Sequence, residues 1–155
     1  MTDAMPGAGV AMRTIMLAAL LLCVVSAGAR AQTTPEGLWR TFDDRTGRER
    51  GLVRIQRQGD ELIGRIVGTT DPAEAARTCD LCQGDRKGKP IEGLTIISGM
   101  RQDGTAWGGG QILDPQTGSV YRCTMRLADG GRKLIVRGFL GISLLGRSQT
   151  WLRIE

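Results

Sequence analysis

The sequence has no histidine and no asparagine among its 155 residues. Without histidine there is no Ser-His-Asp triad, no Cys-His pair, no imidazole acid or base and no imidazole metal ligand. Aromatic residues are few: three Trp, two Phe and one Tyr. The longest apolar run, Ile15 to Val25, spans eleven residues, well short of the roughly 20 that cross a bilayer as a helix. A Walker loop, a Gly-x-Gly-x-x-Gly and a Gly-x-Ser-x-Gly are also missing, so the phosphate cradles and the nucleophile elbow they encode are not expected. The adjacent carboxylates Asp43-Asp44 precede Arg45 and Gly47, where turn formation explains them. Apolar content of 41% and charged content of 24% are ordinary for one soluble globular domain. These absences favour a β-rich binding or structural domain over a hydrolase, with no cofactor.

What is present begins with an export leader. Arg13 precedes the apolar run, and Ala29-Arg30-Ala31 follows it as a small-x-small cleavage site. Together these make a secretory signal peptide over residues 1–31, with the mature domain at 32–155 in the periplasm or secreted, and no membrane span after cleavage. Leu22 before Cys23 departs from the small residue that a lipoprotein signal requires. Met12-Arg13 would serve as a leader start as well as Met1. Removing Arg13, Arg30 and Asp3 leaves 19 basic and 15 acidic side chains in the mature chain. The cations are spread along it, and only Arg86-Lys87-Gly88-Lys89 clusters. A nucleic-acid partner is therefore not expected; the cluster solvates a loop or attracts acidic envelope surfaces.

Glycine supplies 20 of the 124 mature residues. Between the glycines lie short β-branched or alternating runs, with turn signals at the spacing of an all-β barrel or sandwich. Eight strands are expected: 37–42, 51–57, 61–67, 94–101, 105–113, 119–127, 133–140 and 147–154. Short links rich in Gly and Asp join antiparallel neighbours. An antiparallel up-and-down meander of eight strands hides both its edges by closing into a barrel. One connection, Gly68 to Gly93, is too long for a hairpin. Asp71 and Pro72 mark a short helical start there, as cap and first helical residue. A loop of this length reads as functional or as a lid over one barrel end.

Three cysteines follow the leader. Cys79 and Cys82 lie in that long loop, and in an oxidising compartment a local disulfide is expected. Cys123 falls on an apolar strand face and reads as a buried small hydrophobe. A redox-active Cys-x-x-Cys normally opens a helix in an α/β fold, which the surrounding pattern lacks. A zinc site would need a carboxylate as fourth ligand; no metal is expected.

A series of motifs runs through the domain: Gly37-Leu38-Trp39-Arg40-Thr41-Phe42, Cys79-Asp80-Leu81-Cys82, Gly93-Leu94-Thr95-Ile96-Ile97, Gly109-Gly110-Gln111-Ile112-Leu113-Asp114-Pro115, Tyr121-Arg122-Cys123, Gly138-Phe139-Leu140-Gly141 and Leu144 to Trp151. In this order they resemble the exported bacterial family called domain of unknown function 2147, over nearly all of residues 36–155. The resemblance implies a lipocalin-like β-barrel and does not imply a reaction. Gly37-Leu38-Trp39 also resembles the Gly-x-Trp that opens the first lipocalin strand. That likeness implies an arginine from the last strand, Arg153 or Arg147, packed over Trp39. The long loop departs from the lipocalin pattern by following the third strand.

Period-2 alternation assigns inward faces. Val53 and Ile55, then Leu62, Gly64 and Ile66, then Tyr121, Cys123, Met125 and Leu127 oppose polar neighbours. The fourth, fifth and seventh strands do not alternate cleanly. Trp107 is expected inside or at a rim. Gly108-Gly109-Gly110 either lets its strand coil or leaves ligand space. An eight-stranded barrel holds its own side chains or one small ligand. The interior set Trp39, Val53, Ile55, Gly64, Ile66, Trp107, Tyr121, Cys123, Met125 and Trp151 therefore reads as a site for a small apolar or amphipathic ligand. The alternatives are a filled barrel that binds an envelope protein and, in third place, a thiol enzyme.

Overall fold

The computed structural model describes residues 1–2 and 33–155; the leader's apolar run, Cys23 and the cleavage site lie outside the described residues. Eight strands follow: β1 (Gly37–Phe42), β2 (Glu49–Gln58), β3 (Glu61–Thr69), β4 (Thr95–Asp103), β5 (Ala106–Asp114), β6 (Ser119–Ala128), β7 (Lys133–Phe139) and β8 (Arg147–Arg153). Each pairs antiparallel with its sequence neighbours, and β1 pairs with β8, so the sheet is a closed up-and-down barrel. All eight expected strands are present, with ends displaced by at most two residues. The earlier start of β2 has a local cause. Thr41 pairs with Gly51 but Phe42 pairs with Glu49, so Arg50 is the extra residue of a β-bulge.

The meander places four connections, β1–β2, β3–β4, β5–β6 and β7–β8, at one end of the barrel. The short β2–β3, β4–β5 and β6–β7 turns lie at the other, with the chain entering at Thr34 and leaving at Glu155. That second end is closed. Trp39 is fully buried there, and its indole Nε1 donates to the Pro35 carbonyl at 2.8 Å. The Arg153 guanidinium stacks 4.2 Å from the Trp39 ring and donates to the carbonyls of Thr34, Glu36 and Gly131, each at 2.7 Å. One cation thus ties the entering chain, β8 and the β6–β7 turn across the floor. Arg147 is elsewhere, paired with Asp44.

Alternation holds where the sequence showed it: Val53, Ile55, Leu62, Ile66, Cys123 and Met125 are buried. It fails in β4 and β5 because both strands bulge. Gly99 and Gly109 sit at φ 68° and 76°, a region that L side chains resist. The β5–β6 register shifts between Trp107 and Gly110, while Ile96 and Ile97 are buried in succession. Position 110 needs glycine because its neighbours on β4 leave no room: an added Cβ would meet the Ser98 carbonyl and stand 2.5 Å from the Met100 sulfur.

The long β3–β4 connection is built from a capped turn and a disulfide. Asp71 accepts from the Ala73 amide at 2.8 Å and starts α1 (Pro72–Ala75), with Pro72 in the first turn as the sequence indicates. Cys79 and Cys82 form a disulfide and are fully buried. Cys79 Sγ lies 3.5 Å from the Pro115 carbonyl, against the β5–β6 turn. Ile91 and Leu94 join the core. No helix of the described residues is long and apolar enough to cross a membrane.

Candidate functional site

The barrel holds a cavity of about 620 Å³ that opens at the end carrying the long connection. Its apolar wall comes from β2, β3, β4, β5, β7 and β8 through Val53, Ile66, Ile96, Ile112, Leu113, Val136 and Trp151, with Ile91 from the long loop. Tyr121 and Gln149 add polar groups to the wall, and Phe42, Leu140 and Leu145 stand at the mouth. The space combines an apolar inner wall with a polar, charged rim, and its size is that of a small-molecule site.

The structure divides the ten interior residues expected from the sequence. Val53, Ile66, Tyr121 and Trp151 line the cavity. Trp39, Ile55, Trp107, Cys123 and Met125 are buried but do not line it, and form the packed part of the barrel. Gly64 provides no ligand space. An added Cβ would lie 3.1 Å from Ile97 Cβ, so this glycine admits the Ile97 side chain. Gly109, where an added Cβ would meet open space and not the cavity, and Gly110 likewise do not widen it. Ile112, Leu113 and Val136 were not assigned from sequence because their strands lack clean alternation. The pair Leu134 and Val136, two apart on β7, was the legible signal.

The rim is dense in charge, and its charges differ in what they do. Asp43 accepts from the amides of Arg45 and Thr46 and from the Thr46 hydroxyl. The Thr46 hydrogen bonds, with the Arg50 charge behind them, hold its carboxyl below the usual range. Asp44 pairs with Arg147 at 2.6 Å, Glu49 with Arg40 at 3.2 Å and Glu74 with Arg77 at 2.7 Å. Asp71 caps α1, and Asp114 accepts from the Gln116 amide. Every lining carboxylate is thus engaged. Among the described residues, Arg45, Arg48 and Arg50 have no carboxylate within ion-pair distance, although all three line the mouth. A polar chain also crosses the rim. Trp151 Nε1 donates to Gln149 Oε1 at 2.9 Å, and Gln149 Nε2 donates to Asp44 Oδ2 at 3.0 Å.

The sulfur chemistry is closed off. Both sulfurs of the Cys79–Cys82 pair are bonded and inaccessible, and burial pushes the Cys123 thiol up to about 12. A thiolate nucleophile needs the opposite environment. Among the described residues no group of three Cys, Asp or Glu is placed to hold a metal ion.

A closed eight-stranded meander, sealed by a Gly-x-Trp with its stacked arginine and open at the other end, is a lipocalin-like barrel. The chain belongs to the family described as "Uncharacterized protein conserved in bacteria (DUF2147)", whose profile matches residues 37–153. Among solved structures it is similar to protein HP1028 from Helicobacter pylori, described as belonging to the lipocalin family. The likeness has a TM-score of 0.69 and 14% identity, and covers 80% of this chain and 85% of that one. At that identity the likeness speaks to the fold. No curated protein matches the sequence.

Proposed function

We infer that this protein binds one small amphipathic molecule, with an apolar body inside the barrel and an anionic head at the mouth. The cavity of about 620 Å³ supports the body, and its presence weighs against a filled barrel acting only through its exterior. The sign of the head rests on the rim. Three of its carboxylates are paired with arginines and three are hydrogen-bonded by the backbone, whereas among the described residues Arg45, Arg48 and Arg50 form no ion pair, Arg50 acting on Asp43 only through its charge. Arg50 is the best placed of the three, being half-buried at the β1–β2 bulge. A bulge re-aims the side chain it carries. The leader pattern and the disulfide-bonded loop favour a working place outside the cytoplasm.

Titration with a dansyl-labelled undecanoic acid and with its amide tests this reading. The acid should bind at micromolar Kd, about 8 kcal/mol, and more tightly than the amide. Arg50→Gln should weaken the acid about tenfold and leave the amide unchanged. Ile112→Trp, which fills the wall, should weaken both. Absence of binding below about 100 µM for either probe would discard the cavity as a site. Equal binding of acid and amide would discard the anionic head.

A further inference from the structure

The β7–β8 loop exposes more aliphatic surface than a connection needs. Leu140, Ile142, Leu144 and Leu145 are 65, 62, 83 and 80% exposed. They are four of the seven residues between Phe139 and Arg147, and the others are Gly or Ser. A chain that only had to join β7 to β8 could use polar turn residues, as the β5–β6 link does with Pro115 to Gly118. Contiguous exposed apolar groups mark an interaction site.

The loop is also held in this outward shape. Arg137 donates from Nε to the Ser143 carbonyl at 2.7 Å, from Nη2 to the Leu144 carbonyl at 3.2 Å and from Nη1 to the Ser148 hydroxyl at 2.9 Å. Arg122 donates to the Gly141 carbonyl at 3.4 Å and lies over the Phe139 ring. Neither guanidinium has a carboxylate partner among the described residues. Of the cations on the strands beside this loop, Arg122, Arg137 and Arg147 lie toward the open end and only Arg147 has an acidic partner, Asp44, whereas Arg132 and Lys133 pair with Asp129 at the closed end. The unpaired positive charge beside the loop is thus that of Arg122 and Arg137, the two guanidiniums that hold it. An aliphatic tip with guanidiniums one layer behind it matches the order of a phospholipid surface, where acyl chains lie beneath anionic phosphates.

We propose that the β7–β8 loop seats the open end of the barrel on an anionic phospholipid surface, with Ile142 and Leu144 beneath the headgroups and Arg122 and Arg137 at the phosphates. Leu140 and Leu145 belong both to the loop and to the cavity mouth. The contact therefore joins the site to the bilayer and makes the membrane the source or destination of the bound amphiphile. Only this last step rests on the ligand reading; the contact itself does not.

The test uses a chain starting at Gln32, because the described residues 33–155 close a barrel with its own core. It is sedimented with vesicles of phosphatidylglycerol and phosphatidylethanolamine, or of phosphatidylcholine alone. Partition onto the anionic vesicles should exceed that onto phosphatidylcholine and should fall as salt rises. The Ile142→Ser/Leu144→Ser variant changes exposed side chains that do not line the cavity. It should partition at least tenfold less while keeping its affinity for the dansyl acid in the absence of vesicles. Vesicle binding that responds to these substitutions would uphold the contact even if no dansyl probe bound, and the ligand reading alone would then fall. The proposal is overturned if the wild type stays in the supernatant, if it prefers neither vesicle, or if the variant partitions equally. A wild-type dimer in sedimentation velocity that the variant abolishes, without vesicle binding, would instead assign the loop to a second copy of the chain.

Discussion

Trp39 and Arg153 show how much of the closed end depends on two side chains. The indole is fully buried, and its stacked guanidinium satisfies three backbone carbonyls from two segments far apart in sequence. Trp39→Ala should cost about 3–5 kcal/mol in urea unfolding, as buried aromatics do. Arg153→Lys is the sharper substitution. It keeps the charge and loses the planar fork that reaches several acceptors at once, so it should still cost about 2 kcal/mol. A loss below about 0.5 kcal/mol would show that the charge alone matters. Cys123 is a different kind of buried residue, silent until the pH rises. Its folded thiol is pushed up to about 12 by burial, whereas an unfolded thiol titrates near 8.5. Below that value both states keep the proton and no pH dependence arises. Above it the unfolded state releases the proton first, so stability falls by about 1.4 kcal/mol per pH unit. Between pH 8 and 10 the wild type should lose about 2 kcal/mol more than Cys123→Ala loses over the same interval.

At the scale of elements, the fold was legible and the wall of the cavity only partly so. Strand existence follows from turn chemistry and β-branched runs, both local signals, and all eight strands were found. Faces were readable in β2, β3 and β6 because alternation there is regular across most of each strand. In β4 and β5 the bulges at Gly99 and Gly109 reverse the parity midway, so no single two-residue period fits them. The sequence shows a glycine there but not whether it serves a bulge, a close approach or an open space. Gly64 makes the difference plain. It reads as room for a ligand, yet Ile97 already occupies that room. Gly64→Leu should therefore act as overpacking, costing about 1–3 kcal/mol in chemical unfolding. In the folded fraction, affinity for the dansyl acid should stay within about twofold. A selective loss of affinity at unchanged stability would return Gly64 to the site. The rim arginines were missed for another reason. Asp43 to Arg50 reads as a charged turn, and only the register shift at Arg50, together with the pairing of the nearby acids, separates free cations from occupied ones.

The whole molecule is a barrel whose closure is uneven. β8 pairs along six residues with β7 but along only two with β1, Trp39 with Arg153 and Arg40 with Leu152. Both pairs belong to the sealed half. Toward the mouth, Thr41 and Phe42 have no β8 partner, and side chains take over from the backbone: Asp44 receives Arg147 at 2.6 Å and Gln149 at 3.0 Å. Gln149 in turn holds Trp151 in the cavity wall. A backbone ladder and a side-chain clasp differ in how easily they open. Exposed ion pairs contribute about 1 kcal/mol or less, so the seam at the mouth is the weakest line in the wall and lies beside the ligand's path. Asp44→Ala should consequently leave global stability within about 1 kcal/mol of wild type. It should also speed release of the dansyl acid several-fold in stopped-flow displacement, and raise amide hydrogen exchange at Thr41 and Phe42 more than at Trp39. An Asp44→Ala variant with unchanged release and exchange would mean that the mouth is held by the β1–β2 bulge itself. Ligand would then have to pass between the rim loops without the wall parting.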